Sequence, residues 1–119
     1  MPDPDQISTH FARSEFACKC RCGFDTVDIG LLAVLETIRA HFDAPVMVMS
    51  GCRCASHNAD RGGVEDSQHL IGRAADISVA GIEARLVQDY IDQAFPDSLG
   101  MGRYAIWTHI DSRKTWARW

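Results

Sequence analysis

Ser67-Gln68-His69-Leu70-Ile71-Gly72-Arg73-Ala74-Ala75-Asp76-Ile77 places a histidine and an aspartate seven residues apart, with a glycine between them. On a straight strand that odd spacing puts the two side chains on opposite faces, and on a helix it separates them by about 10 Å of rise. Neither regular element lets them share a ligand. A chain reversal does, and Gly72 stands where such a turn needs a residue free to adopt positive φ. Zinc takes imidazole nitrogen and carboxylate oxygen at about 2 Å, so His69 and Asp76 are a candidate ligand pair.

The pattern on either side supplies a frame for this turn. Ala74 to Val79 reads as a strand leading away from it, and residues 54–68, rich in Ser, Asn, Asp and Gly, read as an exposed loop leading into it. Upstream, Pro45-Val46-Met47-Val48-Met49 is a short β-favouring run closed by Ser50-Gly51, expected to be a buried strand. Before it, Leu31, Val34, Leu35, Ile38 and Phe42 recur at helical spacing, with Asp25 or Thr26 as the cap and Pro45 as the stop. Downstream, Ile82 to Phe95 is expected as a second helix with Ile82, Leu86, Tyr90 and Phe95 on its inner side, and Tyr104 to Ile110 as a third strand. Helices and strands alternate, but with Gly-rich turns between the last two strands an α+β layer, a small antiparallel sheet flanked by helices, fits at least as well as a parallel sheet and is the expectation.

With 119 residues the chain has room for one core, and no repeat or composition break divides it. Residues 1–12 read as a mobile lead-in to a single domain over 13–119. A net charge of −4 with scattered Arg and Lys excludes the basic footprint of a nucleic-acid binder. No apolar run is long enough for stable membrane insertion, and the N-terminus carries neither the basic nor the apolar part of a secretion signal.

A catalytic zinc usually has three protein ligands and one open position. His109, in the apolar segment Tyr104 to Asp111, is the best third candidate, although on spacing alone a strand histidine is more often structural.

The ordered set Ser50-Gly51-Cys52-Arg53, His57-Asn58, Gly62-Gly63, Ser67-x-His69, Gly72-x-Ala74-Ala75-Asp76 and Thr108-His109-Ile110-Asp111 resembles the zinc D-alanyl-D-alanine carboxypeptidase family. That family shares its fold with the hedgehog signalling domain. The likeness is to a short phage and prophage endolysin branch whose members begin with Ser-Glu-Phe-x-Cys-x-Cys, like Ser14 to Cys20 here. The resemblance implies a Zn2+ held by His69, Asp76 and His109, and hydrolysis of D-amino-acid peptide bonds in peptidoglycan by a monomeric carboxypeptidase or endopeptidase. It assigns Arg53 to the substrate carboxylate or developing oxyanion, a task suited to a planar fork of charged donors. Ser67 stands beside the first ligand, to orient that loop or to serve only as a turn residue; His57 lies in the 54–68 loop, to touch substrate or to face water; and Trp107 shares the side of His109, to floor the cleft or, the commoner use, to pack in the core.

One position departs from the family. Many members carry an acidic residue three places before the last histidine ligand, where this chain has Ile106. Asp111 is then the leading general base, because strand alternation sets it on the face of His109; a carboxylate that steers the imidazole is the equal alternative. The departure keeps a second function open, a zinc-containing wall-binding module without turnover. A third treats the protein as a cysteine-based zinc or redox module. The resemblance further implies synthesis in a bacterial cytoplasm, from host or phage, and action on the wall or periplasm.

Cys18, Cys20, Cys22, Cys52 and Cys54 leave at least one unpaired thiol in a monomer. Disulfides between the two groups fit an oxidising compartment, and a structural zinc on four thiolates fits a reducing one. Spacing does not choose between them.

Overall fold

A mixed five-stranded sheet, ordered β1-β2-β4-β3-β5, forms the backbone of the fold in the computed structural model, which describes residues 4–54, 58 and 67–119. The strands are β1 (Val46–Ser50), β2 (Ala74–Val79), β3 (Gly100–Arg103), β4 (Thr108–Asp111) and β5 (Ala117–Arg118). The first four pair antiparallel, and the two-residue β5 lies parallel to β3 at the edge. Helices α1 (Ile29–Phe42) and α2 (Ala84–Ala94) complete the α+β layer. Neither is long and apolar enough to cross a membrane.

Side-chain alternation gives the sheet two different faces. Ala75, Ile77 and Val79 of β2, Ile110 of β4 and Met101 of β3 join Leu31, Leu35 and Ile38 of α1 and Val87 and Ile91 of α2 in one buried core. Displaced by one residue, Asp76 and His109 project from the other face, and the register sets them directly opposite each other.

Helix α1 starts at Asp28, whose carboxylate accepts from the Leu31 N–H (3.1 Å) and also from the Ser112 hydroxyl (2.7 Å). The cap is therefore neither Asp25 nor Thr26; the contact with Ser112, distant in sequence, selects Asp28. The helix ends at Asp43 in the left-handed region, before Pro45 as expected. β1 occupies a sheet edge, so only alternate residues are buried and Met47 and Met49 face outward. On α2 the buried side chains are Val87, Gln88 and Ile91, while Leu86 is exposed.

Of the strand expected over 104–110, residues 108–110 lie in β4, and the rest belongs to the turn of a β3–β4 hairpin. Residues 104–107 connect β3 to β4, and the Gln88 amide donates to the carbonyl oxygens of Tyr104 (3.1 Å) and Trp107 (3.3 Å). Gly100 and Gly102 are the strand residues: a Cβ at Gly100 would strike the Asp111 carboxylate, and one at Gly102 would strike the Trp119 indole. Strand propensity favoured the aromatic turn over the glycines, whereas packing requires the reverse.

Phe11 is buried in the core, and Gln6 bridges to Ala12. Ser8 and His10 fasten this segment to α1 through Glu36, at 2.6 Å for the Ser8 hydroxyl and 2.8 Å for the His10 N–H. The loop expected over 54–68 lies mostly outside the described residues.

Candidate metal centre

His69 reaches the sheet through a tight turn. The Ser67 hydroxyl oxygen accepts from the His69 N–H (3.2 Å) at the start of a 3-10 turn, Gln68–Ile71, and Gly72 ends it at φ +70°. A Cβ at Gly72 would run into the Thr26 carbonyl, so the position demands glycine both for its φ and for its closeness to that chain. The reversal lets β2 begin at Ala74 and brings His69 Nε2 within 3.5 Å of Asp76 Oδ1. His109 Nδ1 lies 3.2 Å from the same oxygen. Ligand atoms of His69, Asp76 and His109 all lie within 4.8 Å of one another.

Each imidazole is oriented by its other nitrogen. His69 Nδ1 sits 2.5 Å from the Gly51 carbonyl oxygen, and His109 Nε2 sits 2.9 Å from Asp111 Oδ2. Because those partners can only accept, a neutral ring keeps its proton on their side and presents a lone pair at His69 Nε2 and at His109 Nδ1. Two lone pairs and a carboxylate oxygen then face one another, an arrangement that calls for a cation between them. Ligands about 2.05 Å from a tetrahedral zinc are about 3.3 Å apart, close to the 3.2 and 3.5 Å separations here. The donor set fits the metal that the resemblance implies.

Charge around the centre is compensated. When protons rather than a cation lie between these atoms, burial works to raise the Asp76 pKa, but hydrogen bonds from His109 and His69 outweigh it and hold the carboxyl well below its usual range. Its second oxygen accepts from Arg53 Nη2 at 3.1 Å. Arg53 is itself only 9% exposed; its Nε donates to the Ser50 hydroxyl (3.1 Å) and its backbone N–H to the His69 carbonyl (2.9 Å). Burial would lower the His109 pKa, yet Asp111 and Asp76 together raise it.

Asp111 is completely buried. Besides His109, its carboxylate accepts from the Gly100 N–H (3.1 Å) and from Arg113 Nε (2.7 Å) and Nη2 (2.8 Å). Opposed by burial, His109 and Arg113 still hold its pKa well below the ordinary carboxylate value. Ile106 is 72% exposed on the hairpin connection.

The aromatic nearest the centre was not legible in the sequence. Trp119 packs beside His109, with ring centroids 4.9 Å apart. Trp107 stacks on Tyr104 at 4.5 Å, and the Trp119 Nε1–H donates to the Tyr104 hydroxyl at 3.3 Å. The Gly51 carbonyl and Arg113 are further contributors that sequence reasoning missed; a carbonyl carries no residue-type signal, while Arg113 stood only two residues beyond Asp111. His57 lies outside the described residues.

The sequence model of a family described as Peptidase M15 matches residues 9–111, a span containing every residue of the three-ligand cluster. No curated protein matches the chain.

Proposed function

Since the chain belongs to the Peptidase M15 family of zinc-dependent metallopeptidases, we propose that it cuts D-amino-acid-containing peptide bonds in peptidoglycan, as a D,D-carboxypeptidase or endopeptidase. The observation that carries this reading is the convergence of His69, Asp76 and His109, with both imidazoles oriented by their outer nitrogens. These three residues are the zinc ligands. When bound, zinc supplies a Lewis acid for the scissile carbonyl and lowers the pKa of water towards about 7.

The chain's own residues do the rest. Arg53, fixed between Ser50 and Asp76, provides a positive charge beside the centre, where a substrate carboxylate or tetrahedral oxyanion gains most from it. Ser67 fixes the turn that presents His69. Asp111 is a positioning residue: buried and saturated with donors, it acts through His109 rather than on substrate. Trp119 and Tyr104 offer an aromatic wall beside His109 for the peptide stem. The setting is a bacterial wall, reached by a phage or host product acting as a monomer.

A wall-binding module without turnover is the second reading, favoured by Ile106, which offers no acid where many relatives have one. Mass spectrometry of muropeptides after incubation with purified peptidoglycan separates the two. The peptidase reading expects stem peptides shortened or cross-links opened, abolished by chelator, restored by zinc and absent in His69→Ala. Wall retention of the zinc-loaded protein with unchanged muropeptides would establish the module instead.

A further inference from the structure

A second cluster of metal-ligating side chains lies outside the histidine centre. Sulfur atoms of Cys18, Cys20, Cys22 and Cys54 all lie within 4.8 Å of one another. The Sγ–Sγ separations are 3.3 Å for Cys18 to Cys20, 3.5 Å for Cys20 to Cys54 and 3.8 Å for Cys18 to Cys54. Thiolates about 2.3 Å from a tetrahedral zinc are about 3.8 Å from each other, whereas a disulfide needs about 2.05 Å. Four sulfurs gathered around one point match the first geometry. A pair of disulfides would draw them into two separate couples.

The local chain is folded to make this cluster. The Cys18 N–H donates to the Phe24 carbonyl (2.7 Å) and the Arg21 N–H to the Cys18 carbonyl (3.0 Å), closing a loop in which Arg21 and Gly23 take positive φ. That loop gathers three cysteines set at alternate positions. The fourth comes from the segment after β1, where the Cys54 N–H points at Cys18 Sγ from 3.5 Å, the kind of contact that stabilises a metal-bound sulfur. Cys52 is engaged elsewhere: its thiol donates to the carbonyl oxygens of Phe16 (3.1 Å) and Phe24 (3.0 Å). Its use as a hydrogen-bond donor explains the odd cysteine count.

We propose that Cys18, Cys20, Cys22 and Cys54 bind a structural zinc ion, separate from the histidine centre, that clamps the N-terminal loop to the segment carrying Arg53. Soft thiolates in a closed tetrahedron select zinc and leave no position for substrate. Lys19 and Arg21 alternate with the three cysteines in sequence and add positive charge to a loop that would carry a doubly negative tetrathiolate site. Arg53 stands between Cys52 and Cys54, so the clamp also limits how far that guanidinium can move from Asp76.

The test is metal content of the full chain purified under reducing conditions, for the wild type, His69→Ala/His109→Ala, Cys20→Ser/Cys54→Ser and Cys52→Ser. Two zinc ions per wild-type chain are expected, one in each of the double variants, and two in Cys52→Ser. In the histidine variant, cobalt substituted for the remaining zinc gives an intense thiolate-to-cobalt charge-transfer absorption. If the double-cysteine variant fails to fold, that spectrum and the intact mass of the histidine variant decide. A histidine variant free of metal, one holding iron, or one four hydrogens lighter because it carries two disulfides overturns the proposal. A wild type with a single zinc retained in the histidine variant would defeat the catalytic reading and leave this one standing.

Discussion

His109 keeps its usable lone pair on Nδ1 because Asp111 holds the proton on Nε2. Asp111→Asn keeps the volume but loses the charge that also pairs with Arg113. Zinc affinity measured by chelator competition should fall about 10–100-fold, the usual consequence of losing such a partner, with kcat falling alongside it. Unchanged affinity would show that Asp111 does not steer the ring. Gly72→Ala addresses the other imidazole. A left-handed residue costs about 1–2 kcal/mol when it gains a Cβ, and here that Cβ also meets the Thr26 carbonyl. Thermal denaturation should show a Tm several degrees lower, together with weaker zinc binding; a variant as stable as wild type would mean that the turn tolerates another conformation.

Among the elements, strand β2 and the two helices were the most legible in the sequence. Strand β2 was readable from Ala74 to Val79 because alternation and the preceding glycine agree, and Asp76 falls on its polar face for the same reason. The hairpin was misread because Tyr104, Ile106 and Trp107 have strand-like side chains, while Gly100 and Gly102 are explained only by the Asp111 and Trp119 groups that fill their missing Cβ positions. Those are long-range contacts with no local signature. Trp119 was missed likewise, since its place follows from the parallel pairing of β5 with β3. The N-terminal segment makes its own prediction. Hydrogen bonds from Ser8 and His10 outweigh the opposing effect of burial and lower the Glu36 pKa. A carboxylate depressed in the folded state stabilises it fully above the unfolded value of about 4.3, and that contribution is lost as pH falls through the folded value. Urea denaturation should therefore show wild type ahead of Glu36→Gln at pH 6, with the gap closing below about pH 4. A gap independent of pH would mean that the docking is not ionic.

At the scale of the whole molecule, the sheet separates two tasks. One face holds the apolar core, and the other carries His109 and Asp76, with His69 brought over by the turn at Gly72. The three proposed ligands come from a turn and two strands, so an ion bound there ties together elements far apart in sequence. Metal present at 100 times its dissociation constant stabilises a folded chain by about 2.7 kcal/mol, on the order of 10 °C in Tm for a domain of this size. Calorimetry before and after chelation should show a loss larger by that order in wild type than in His69→Ala/His109→Ala, and equal losses in the two would rule out such coupling.

Anomalous diffraction at the zinc edge is the most direct measurement of the histidine centre. The expected result is a peak about 2 Å from each of His69 Nε2, Asp76 Oδ1 and His109 Nδ1, with His109 Nε2 still turned to Asp111. A zinc-loaded crystal with no density among those three atoms, or with the metal bound through His109 Nε2, would contradict the account.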